Sequence, residues 1–336
     1  MSHVTKLILR IIMMRARSKL APEIGEQQCG FKKDTGTRNA IFMMRRLCER
    51  AIEMQQDIYL CFIDYTKAFD RVKHEVLLDM LQSLDLDGKD MRLIRNLYWE
   101  QSACIRIEGE TSQYTDIKRG VRQGCVFSPD LFNLYSEVIL RELGRQEGVI
   151  VGGQCINNIR YADDTTLIAK SQEELQALLN KVVTASNLKG LTLNHKKTKC
   201  MVISKEQIGK VCSINIDNNQ IEQVDKFNYL GSILTSDGRC DEDIKRRISL
   251  AKDAFGKLSC IITNRSLTID LRKRVINSYV IPILTYGSEC WVISEAMKKK
   301  IDAVEMWFIR RLLKISWTER KTNEEVLRMT KSKKTC

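Results

Sequence analysis

The sequence predicts an α+β fold built around a split β-α-β-β-α-β unit. Three observations predict it: a strand-length apolar run at 58–63, alternating apolar and polar residues on either side of Asp163–Asp164, and an amphipathic helix pattern that begins after Ser171 and ends at Gly190. Such a run is typical of a strand buried on both faces, and alternation around a turn is typical of a hairpin. Helices on one face would cover the sheet, so we expect the ends of its central strands to meet at one edge.

The composition favours a folded intracellular protein with an anionic partner, working in the nucleus or the cytoplasm. The 336 residues are 43% hydrophobic, enough for a sizeable core and two or three subdomains. The net charge of +13 favours nucleic acid or an anionic membrane surface. No apolar run reaches the roughly 18 residues of a membrane span, so we expect no membrane partner. The 12 cysteines contain no C-x₂-C pair, which favours reduced thiols over a zinc site or disulfides.

The chain begins with a basic apolar stretch and a glycine-containing loop. Residues 4–17 mix apolar residues with arginines in a pattern typical of an amphipathic helix, with a mitochondrial presequence as the alternative. Residues 28–40 are typical of a loop in which Thr37 or Asn39 caps a helix that runs through Arg50. Such a loop can contact phosphate at a helix N-terminus, but a solvated basic loop fits these residues equally well.

Asp64 follows the apolar run, at the end of a predicted buried strand. A carboxylate there is costly unless something pairs with it, which indicates a ligand. A turn or helix-capping aspartate is an equally good interpretation of this residue by itself. Helix patterns follow at 76–84 and 91–97, and then a short strand is predicted at 104–107.

Residues 119–129 form a second loop, in which Gly120 and Gly124 permit a ligand to approach the backbone closely. Ser128 followed by a proline is typical of a helix cap and the first helical turn. Two arginines and Gln123 beside this backbone indicate contact with a nucleotide or nucleic acid. An ordinary loop that caps a helix is the alternative.

Two adjacent carboxylates, Asp163 and Asp164, lie at the predicted hairpin turn. A cation usually relieves the repulsion between such groups, and Mg²⁺ takes oxygen ligands of this kind. By itself, an Asp-Asp pair at a turn is more often only a polar turn. The predicted topology would bring Asp64 to the same edge of the sheet, and this favours a shared metal site.

The sequence becomes helical and basic after residue 225. Amphipathic patterns begin near residues 241, 268 and 296 with lysines and arginines interspersed, and residues 330–336 are typical of a frayed tail. A surface of this kind can grip a nucleic-acid backbone. Amphipathic helices with solvated basic faces are the alternative.

Five motifs in order resemble those of reverse transcriptases from non-LTR (LINE-type) retrotransposons. They are Phe62–Asp70, Gln123–Pro129, Tyr161–Asp164, Gly190–Thr198 and Phe227–Gly231. The loop around Gly30-Phe31 and the segment 281–287 are also similar to that family. The resemblance spans nearly the whole chain, and the order of its five motifs makes it specific.

The resemblance implies a polymerase right-hand architecture with a ferredoxin-like or RRM-like palm. Residues 1–56 would be partial fingers, residues 57–225 a palm with embedded fingers elements, and residues 226–336 a thumb with a basic helical C-terminal region. The family's fingers normally begin further upstream, which implies a chain truncated at its N-terminus.

The resemblance also implies RNA-directed DNA synthesis from dNTPs, on an RNA template and a DNA primer, by two-metal nucleotidyl transfer. Asp64, Asp163 and Asp164 would be the catalytic ligands of two Mg²⁺ ions, which Mn²⁺ could replace. Lys197 would donate a proton to the leaving pyrophosphate, with Lys196 and Lys199 as competitors.

The substrate-binding residues implied by the resemblance come from four parts of the chain. Phe69 would lie under the sugar and exclude a 2′-hydroxyl, while Gln123 and Gly124 would lie along the nucleotide and the template. Tyr161 and Arg38 would also contact substrate. Two other functions stay open: a nucleic-acid-binding remnant with weak or no turnover, and a group II intron maturase, against which the segment 281–287 argues.

Overall fold

The computed structural model describes residues 3–84, 86–98, 101–144, 147–206 and 210–330. The chain divides into two compact units, residues 1–225 and residues 226–336. Within the described ranges, no helix has the length and apolar character needed to cross a membrane.

The helices of the first unit follow the predicted patterns closely. They are α1 (His3–Leu20), α2 (Thr37–Glu53), α3 (Ala68–Arg71), α4 (His74–Gln82), α5 (Gly88–Tyr98), α6 (Ser128–Leu140) and α7 (Gln172–Lys189). Helix α1 is the predicted amphipathic helix, and it buries Leu9, Ile12 and Ala16. Helix α7 begins where the Ser171 hydroxyl accepts a hydrogen bond from the backbone N–H of Glu174, and it ends at Gly190 in the left-handed conformation.

Five strands of the first unit form one sheet, and the others form short two-stranded hairpins. The strands are β1 (Ile58–Ile63), β2 (Ser102–Ala103), β3 (Arg106–Ile107), β4 (Glu110–Thr111), β5 (Thr115–Asp116), β6 (Val149–Val151), β7 (Gln154–Ile156), β8 (Asn158–Tyr161), β9 (Asp164–Ala169), β10 (Lys199–Ile203), β11 (Asn215–Ile216), β12 (Asn219–Gln220) and β13 (Glu222–Gln223). The strand predicted at 104–107 is shorter than expected and exposed, as β3.

The main sheet has the order β13-β10-β1-β9-β8, with β13 parallel to β10. Strand β1 lies between β9 and β10 and is antiparallel to both. Without β13, this is the strand order of the split β-α-β-β-α-β unit that the sequence predicts. The central strand β1 is therefore the strand that ends immediately before Asp64.

Helices cover both faces of this sheet, so the prediction of helices on one face is wrong. On one face, Cys61 and Ile63 of β1 belong to the same buried cluster as α1, α6 and α7. Their neighbours Leu60 and Phe62 point to the opposite face of the sheet and are also buried. Helix α2 contacts β8 and β10 and covers that face. Apolar burial on both sides explains why 58–63 is a continuous apolar run.

Two predicted helix caps differ from the structure. The residue that caps α2 is Gly36, and the Asn39 side chain accepts a hydrogen bond from its N–H at 3.0 Å. Thr37 is therefore the first helical residue and not the cap. Ser128 is likewise inside α6, and its hydroxyl donates to the carbonyl of Arg122 at 2.8 Å. This bond ties the loop 119–127 to the start of the helix.

The second unit consists of one hairpin and a set of helices. Its elements are β14 (Lys226–Tyr229), β15 (Ser232–Thr235), α8 (Asp241–Lys257), α9 (Ser259–Ile262), α10 (Ile269–Tyr279), α11 (Ile281–Leu284), α12 (Glu295–Leu313) and α13 (Asn323–Thr330). Phe255 of α8 and Phe308 of α12 stack at the centre of its core. Thr330 is the buried last residue of α13, and the rest of the predicted tail, residues 331–336, lies outside the described ranges.

Some arginines of the second unit are structural and do not face solvent. Arg247 is buried, and its guanidinium lies beside Asp243 and over the ring of Tyr286. The Tyr286 hydroxyl donates to the carbonyl of Leu230 at 2.7 Å, in the turn between β14 and β15. Arg272 is also buried and donates to the carbonyl of Leu312 at 2.8 Å. Arg247 and Arg272 therefore belong neither to a surface that grips nucleic acid nor to a solvated basic face, the two interpretations that the sequence left open.

Candidate active site

The three predicted metal-binding aspartates come together at one end of the sheet, where β1 ends and β9 begins. Asp64 directly follows β1, and Asp164 is the first residue of β9. The antiparallel register pairs Ile63 with Thr165, so the next position of each strand is Asp64 and Asp164. Asp163 precedes Asp164 in the turn between β8 and β9. The sheet topology thus brings together residues about 100 positions apart in sequence.

The turn that carries Asp163 has a strained backbone. Tyr161 and Asp164 pair across the hairpin, which leaves Ala162 and Asp163 as a two-residue turn. Ala162 has a φ of 59°, in the left-handed region that usually requires glycine. A non-glycine residue held there costs about 1–3 kcal/mol, and the surrounding contacts have to offset that cost. Strain of this kind is concentrated at functional sites.

The aspartates repel one another in the absence of a cation. Burial raises the pKa of Asp163, and the charge of Asp64 adds to this effect. Partial desolvation, followed by the charges of Asp163 and Asp64, raises the pKa of Asp164 to about 6. The Asp164 side chain still reaches solvent, so water screens part of this repulsion. A divalent cation would favour the ionised forms of Asp163 and Asp164.

The donor set fits a hard divalent cation that also uses substrate oxygens. Within the described ranges, no three His, Cys, Asp or Glu side chains form a ready-made metal cluster. Mg²⁺ does not need one, because it usually takes one or two carboxylates together with substrate phosphates and water. Burial, followed by the charges of neighbouring aspartates, raises the pKa of Asp163 and of Asp164, and a bound cation would offset both effects.

The segment that carries Lys197 is attached to the backbone of Asp64. The backbone N–H of Asn194 donates to the carbonyl of Asp64 at 2.8 Å, and the N–H of Asp64 donates to the buried Thr198 hydroxyl at 3.3 Å. The ammonium of Lys199, a competitor for the role of proton donor, pairs with Glu222 at 2.6 Å. Lys197 is exposed, two positions earlier, on the same segment.

The predicted sugar-binding residue Phe69, in α3, contacts both α6 and the second loop. Its ring stacks on Phe132 of α6 with centroids 4.2 Å apart, and it remains half-exposed. Its carbonyl accepts a hydrogen bond from Val121 at 2.9 Å, which holds the second loop beside it. Gln123 and Gly124 are exposed further along that loop, and Gly124 has a φ of 74°.

The other two predicted substrate-binding residues lie on different elements. Tyr161 is half-buried at the end of β8, and its ring centroid is 6.3 Å from that of Phe31. Arg38 is an exposed residue in the first turn of α2, at the helix N-terminus that the sequence predicts as a phosphate contact. Tyr161 directly precedes the acidic turn in the chain, whereas Arg38 belongs to a separate element, helix α2.

The family model described as "Reverse transcriptase (RNA-dependent DNA polymerase)" matches residues 1–234, which include all three aspartates. This chain belongs to the reverse transcriptase family. The predicted membership is thereby confirmed, and the non-LTR relatives below agree with it.

Curated relatives of this reverse transcriptase chain are retrotransposon proteins. It is 26% identical over 300 residues to the Pol polyprotein of the type-2 element R2DM of Drosophila melanogaster, covering 86% of this chain and 27% of that protein. It is 26% identical over 313 residues to the R2 polyprotein of Nasonia vitripennis, covering 88% and 30%. It is 22% identical over 324 residues to the RNA-directed DNA polymerase of mobile element jockey of Drosophila funebris, covering 93% and 35%. The chain thus spans about a third or less of the length of these relatives.

Solved structures similar to this reverse transcriptase chain include two telomerases. The telomerase of Candida tropicalis with a fragment of telomeric RNA aligns with a TM-score of 0.49 and 11% identity, covering 96% of this chain and 56% of that one. The telomerase of Candida albicans with a similar fragment aligns with a TM-score of 0.44 and 14% identity, covering 96% and 53%.

The reverse transcriptase chain also contains a buried polar network that the sequence did not predict. Arg160, two residues before the strained turn, pairs with Glu137 of α6 at 2.8 Å, and both side chains are buried. Asn133, one turn earlier on α6, donates to the carbonyl of Gly30 at 2.8 Å. The four-residue spacing of Asn133 and Glu137, which puts both on one face of the predicted helix, was the available signal. Gln28, which contacts the turn from the loop, gave none.

The raised pKa of Asp164 predicts how stability depends on pH. The folded protein holds this proton more tightly than the unfolded chain, whose pKa is near 3.8, so stability falls as pH rises from that value through about 6. Without divalent cations, Asp164→Asn should therefore raise Tm at about pH 7, and the gain should disappear near about pH 4. Thermal melts of both proteins across pH measure this.

The same melts with Mg²⁺ provide the control for that prediction. A bound cation relieves the repulsion on the Asp164 carboxylate, which only the wild type has, so the Tm difference at neutral pH should shrink. An Asp164→Asn protein that is no more stable at neutral pH, or whose advantage persists under acidic conditions, would contradict the electrostatic explanation.

Proposed function

We propose that this chain is an RNA-directed DNA polymerase that transfers a nucleotide from a dNTP to a primer 3′-hydroxyl and releases pyrophosphate. The observation that carries the proposal is the meeting of Asp64 with the strained turn of Asp163 and Asp164 at one sheet edge. Membership of the reverse transcriptase family supports the choice of reaction.

The proposed roles are those that the family resemblance implies, and the positions of the side chains support them. Asp64 and Asp163 would hold two Mg²⁺ ions, with Asp164 in support. Those ions, when bound, would lower the pKa of the 3′-hydroxyl and offset charge on the departing pyrophosphate. Lys197 is exposed on the segment bonded to Asp64, and it would donate a proton to the leaving group.

We assign the polymerase parts on the same basis. The sheet β10-β1-β9-β8 with α6 and α7 would be the palm, within residues 57–225. Residues 1–56, with the loop that reaches the acidic turn, would be part of the fingers. Residues 226–336 would be the thumb and the basic C-terminal region. RNA and DNA substrates imply a site of action in the nucleus or the cytoplasm.

A basic groove in the second unit would bind the nucleic-acid backbone. The groove has a volume of about 1460 Å³ and lies along the C-terminal end of α12. Its cationic lining residues are Arg310, Arg311, Lys314, Arg320 and Lys321. Trp307 forms part of its wall, with the Arg311 guanidinium 5.3 Å from the ring centroid. Cations next to an aromatic ring suit phosphates and a stacked base.

Sugar selection gives a first test of the site. Phe69→Ala would remove the ring that we place under the sugar, so ribonucleotide use should rise relative to deoxyribonucleotide use by about tenfold or more. The measurement is the ratio of kcat/KM for a matched dNTP and rNTP. The variant also loses the stacking contact with Phe132, which lowers the amount of folded protein. This loss scales both kcat/KM values equally, so their ratio does not change. An unchanged ratio would show that Phe69 does not contact the sugar.

Primer extension on matched RNA and DNA templates tests the function itself. The chain should extend a DNA primer on RNA in the presence of Mg²⁺ and stop at the template end. Binding of the same primer–template, titrated against salt, should weaken steeply as counterions are released. Salt-dependent binding without extension would favour the alternative, a nucleic-acid-binding remnant.

A further inference from the structure

The buried side chain of Gln28 contacts the acidic turn from the opposite segment. Its Oε1 accepts hydrogen bonds from the backbone N–H of Ala162 at 3.0 Å and from that of Gly30 at 2.8 Å. Its Nε2 lies 3.5 Å from the Ala162 carbonyl oxygen. Gln28 is fully buried, so no water competes for these groups. The side-chain amide of Gln28 therefore contacts both the N–H and the carbonyl oxygen of Ala162, the residue in the left-handed conformation.

The segment that carries Gln28 is fixed beside β8. The N–H of Cys29 donates to the carbonyl of Arg160 at 2.8 Å, and the N–H of Arg160 donates to the carbonyl of Gln27 at 2.9 Å. Gly30 packs so closely that an added Cβ would be 2.3 Å from the backbone nitrogen of Ala162. The segment thus adds to the edge of the sheet immediately before the turn, and Gln28 cannot move without moving the turn.

We propose that Gln28 is a positioning residue that holds Ala162 in the left-handed conformation and so fixes the direction of Asp163 and Asp164. Ala162 lacks the conformational freedom of glycine, so its φ needs an external constraint. The two carboxylates follow it directly in the chain, and a change of that φ would turn them away from Asp64. The inference rests on the proposed polymerase function for its catalytic consequence.

Gln28→Met tests the proposal, because methionine fills a similar volume without the amide. We expect kcat for primer extension to fall by about 100-fold, the cost of misplacing catalytic groups by about 1 Å. The KM for dNTP and the Kd for primer–template should stay within about threefold, since neither substrate contacts Gln28. Gln27→Met is the matched control, and its kcat should be unchanged. A kcat for Gln28→Met equal to that of the control would overturn the proposal.

A second substitution separates positioning from a general loss of stability. Glycine adopts positive φ without strain, so Ala162→Gly in the Gln28→Met background should recover about tenfold or more of the lost kcat. A general packing defect would not be repaired by removing a methyl group from the turn. Absence of any recovery would overturn the proposal.

Amide hydrogen exchange provides a readout that does not need activity. Peptides covering 157–165 and 27–31 should exchange faster in Gln28→Met, because the N–H groups of Ala162 and Gly30 lose their acceptor. Gln27→Met should exchange like the wild type. Unchanged exchange in Gln28→Met would overturn the proposal. If the wild type does not extend primers, the polymerase function fails, and this exchange measurement still decides whether Gln28 holds the turn.

Discussion

Asp64→Asn and Asp163→Asn should each reduce primer extension by about 10²–10³-fold or more, because each removes charge that stabilises the transition state. Asparagine keeps the size of the side chain and leaves the sheet unchanged. Affinity for primer–template should stay within about threefold, since the carboxylates repel phosphate unless a cation lies between them. The measurement is kcat for single-nucleotide addition, with the Kd for primer–template determined on the same preparations.

Asp79→Asn is the control for both variants. Asp79 is an exposed aspartate on α4, so the variant changes net charge equally without touching the acidic edge. It should retain wild-type activity. Activity of Asp64→Asn or Asp163→Asn within about tenfold of wild type would contradict the assignment of these residues as catalytic.

Glu137→Gln should destabilise the fold by about 3–5 kcal/mol, the usual cost of leaving a buried charge without its partner. Arg160 is 2% exposed, its Nη2 pairs with Glu137, and its Nε and Nη1 have no hydrogen-bond partner among the described residues. Burial lowers the pKa of Arg160, while the charge of Glu137 opposes that shift. Without the Glu137 carboxylate, the buried positive charge of Arg160 has no negative charge to offset its desolvation. Urea unfolding of both proteins measures the difference in the free energy of unfolding.

An exposed ion pair supplies the matched control for that variant. Arg141 and Glu23 also pair, at 2.7 Å, but both side chains reach solvent. Glu23→Gln should therefore cost less than about 1 kcal/mol. Replacing both Glu137 and Arg160 by methionine should cost less than Glu137→Gln alone, because no charge is then left buried. Equal losses for Glu137→Gln and Glu23→Gln would contradict the importance of burial.

The sheet and its acidic turn could be predicted because their signals are local. A continuous apolar run marked β1, alternation marked the β8–β9 hairpin, and a capping serine with a terminal glycine bounded α7. Strand order followed from the sequence of elements, since the split unit places the first strand beside the third and fourth. These features together were enough to place Asp64 beside Asp163 and Asp164.

Contacts that depend on tertiary packing could not be predicted in this way. Gln28 lies in a loop without periodicity, and its role comes from a segment that meets β8 after about 130 intervening residues. Serine is a residue type typical of helix caps, yet the Ser128 hydroxyl donates to the carbonyl of Arg122 in the preceding loop. Arg247 and Arg272 look like surface cations in the sequence, but both are buried against backbone carbonyls.

The electrostatics of the site link its function to a cost in stability. The raised pKa values of Asp163 and Asp164 mean that their ionisation at neutral pH disfavours the folded state, and the φ of Ala162 adds backbone strain. The buried network of Gln28, Asn133 and the Arg160–Glu137 pair surrounds the same turn. We infer that these contacts hold in place a site that would otherwise relax.

The catalytic role of the aspartates is tested by single-turnover addition of one complementary dNTP to a DNA primer on an RNA template. We expect addition in the wild type with Mg²⁺, none with a chelator, and a rate at least about 100-fold lower in Asp163→Asn. Addition that needs no divalent cation, or that proceeds equally fast in Asp163→Asn, would contradict this role.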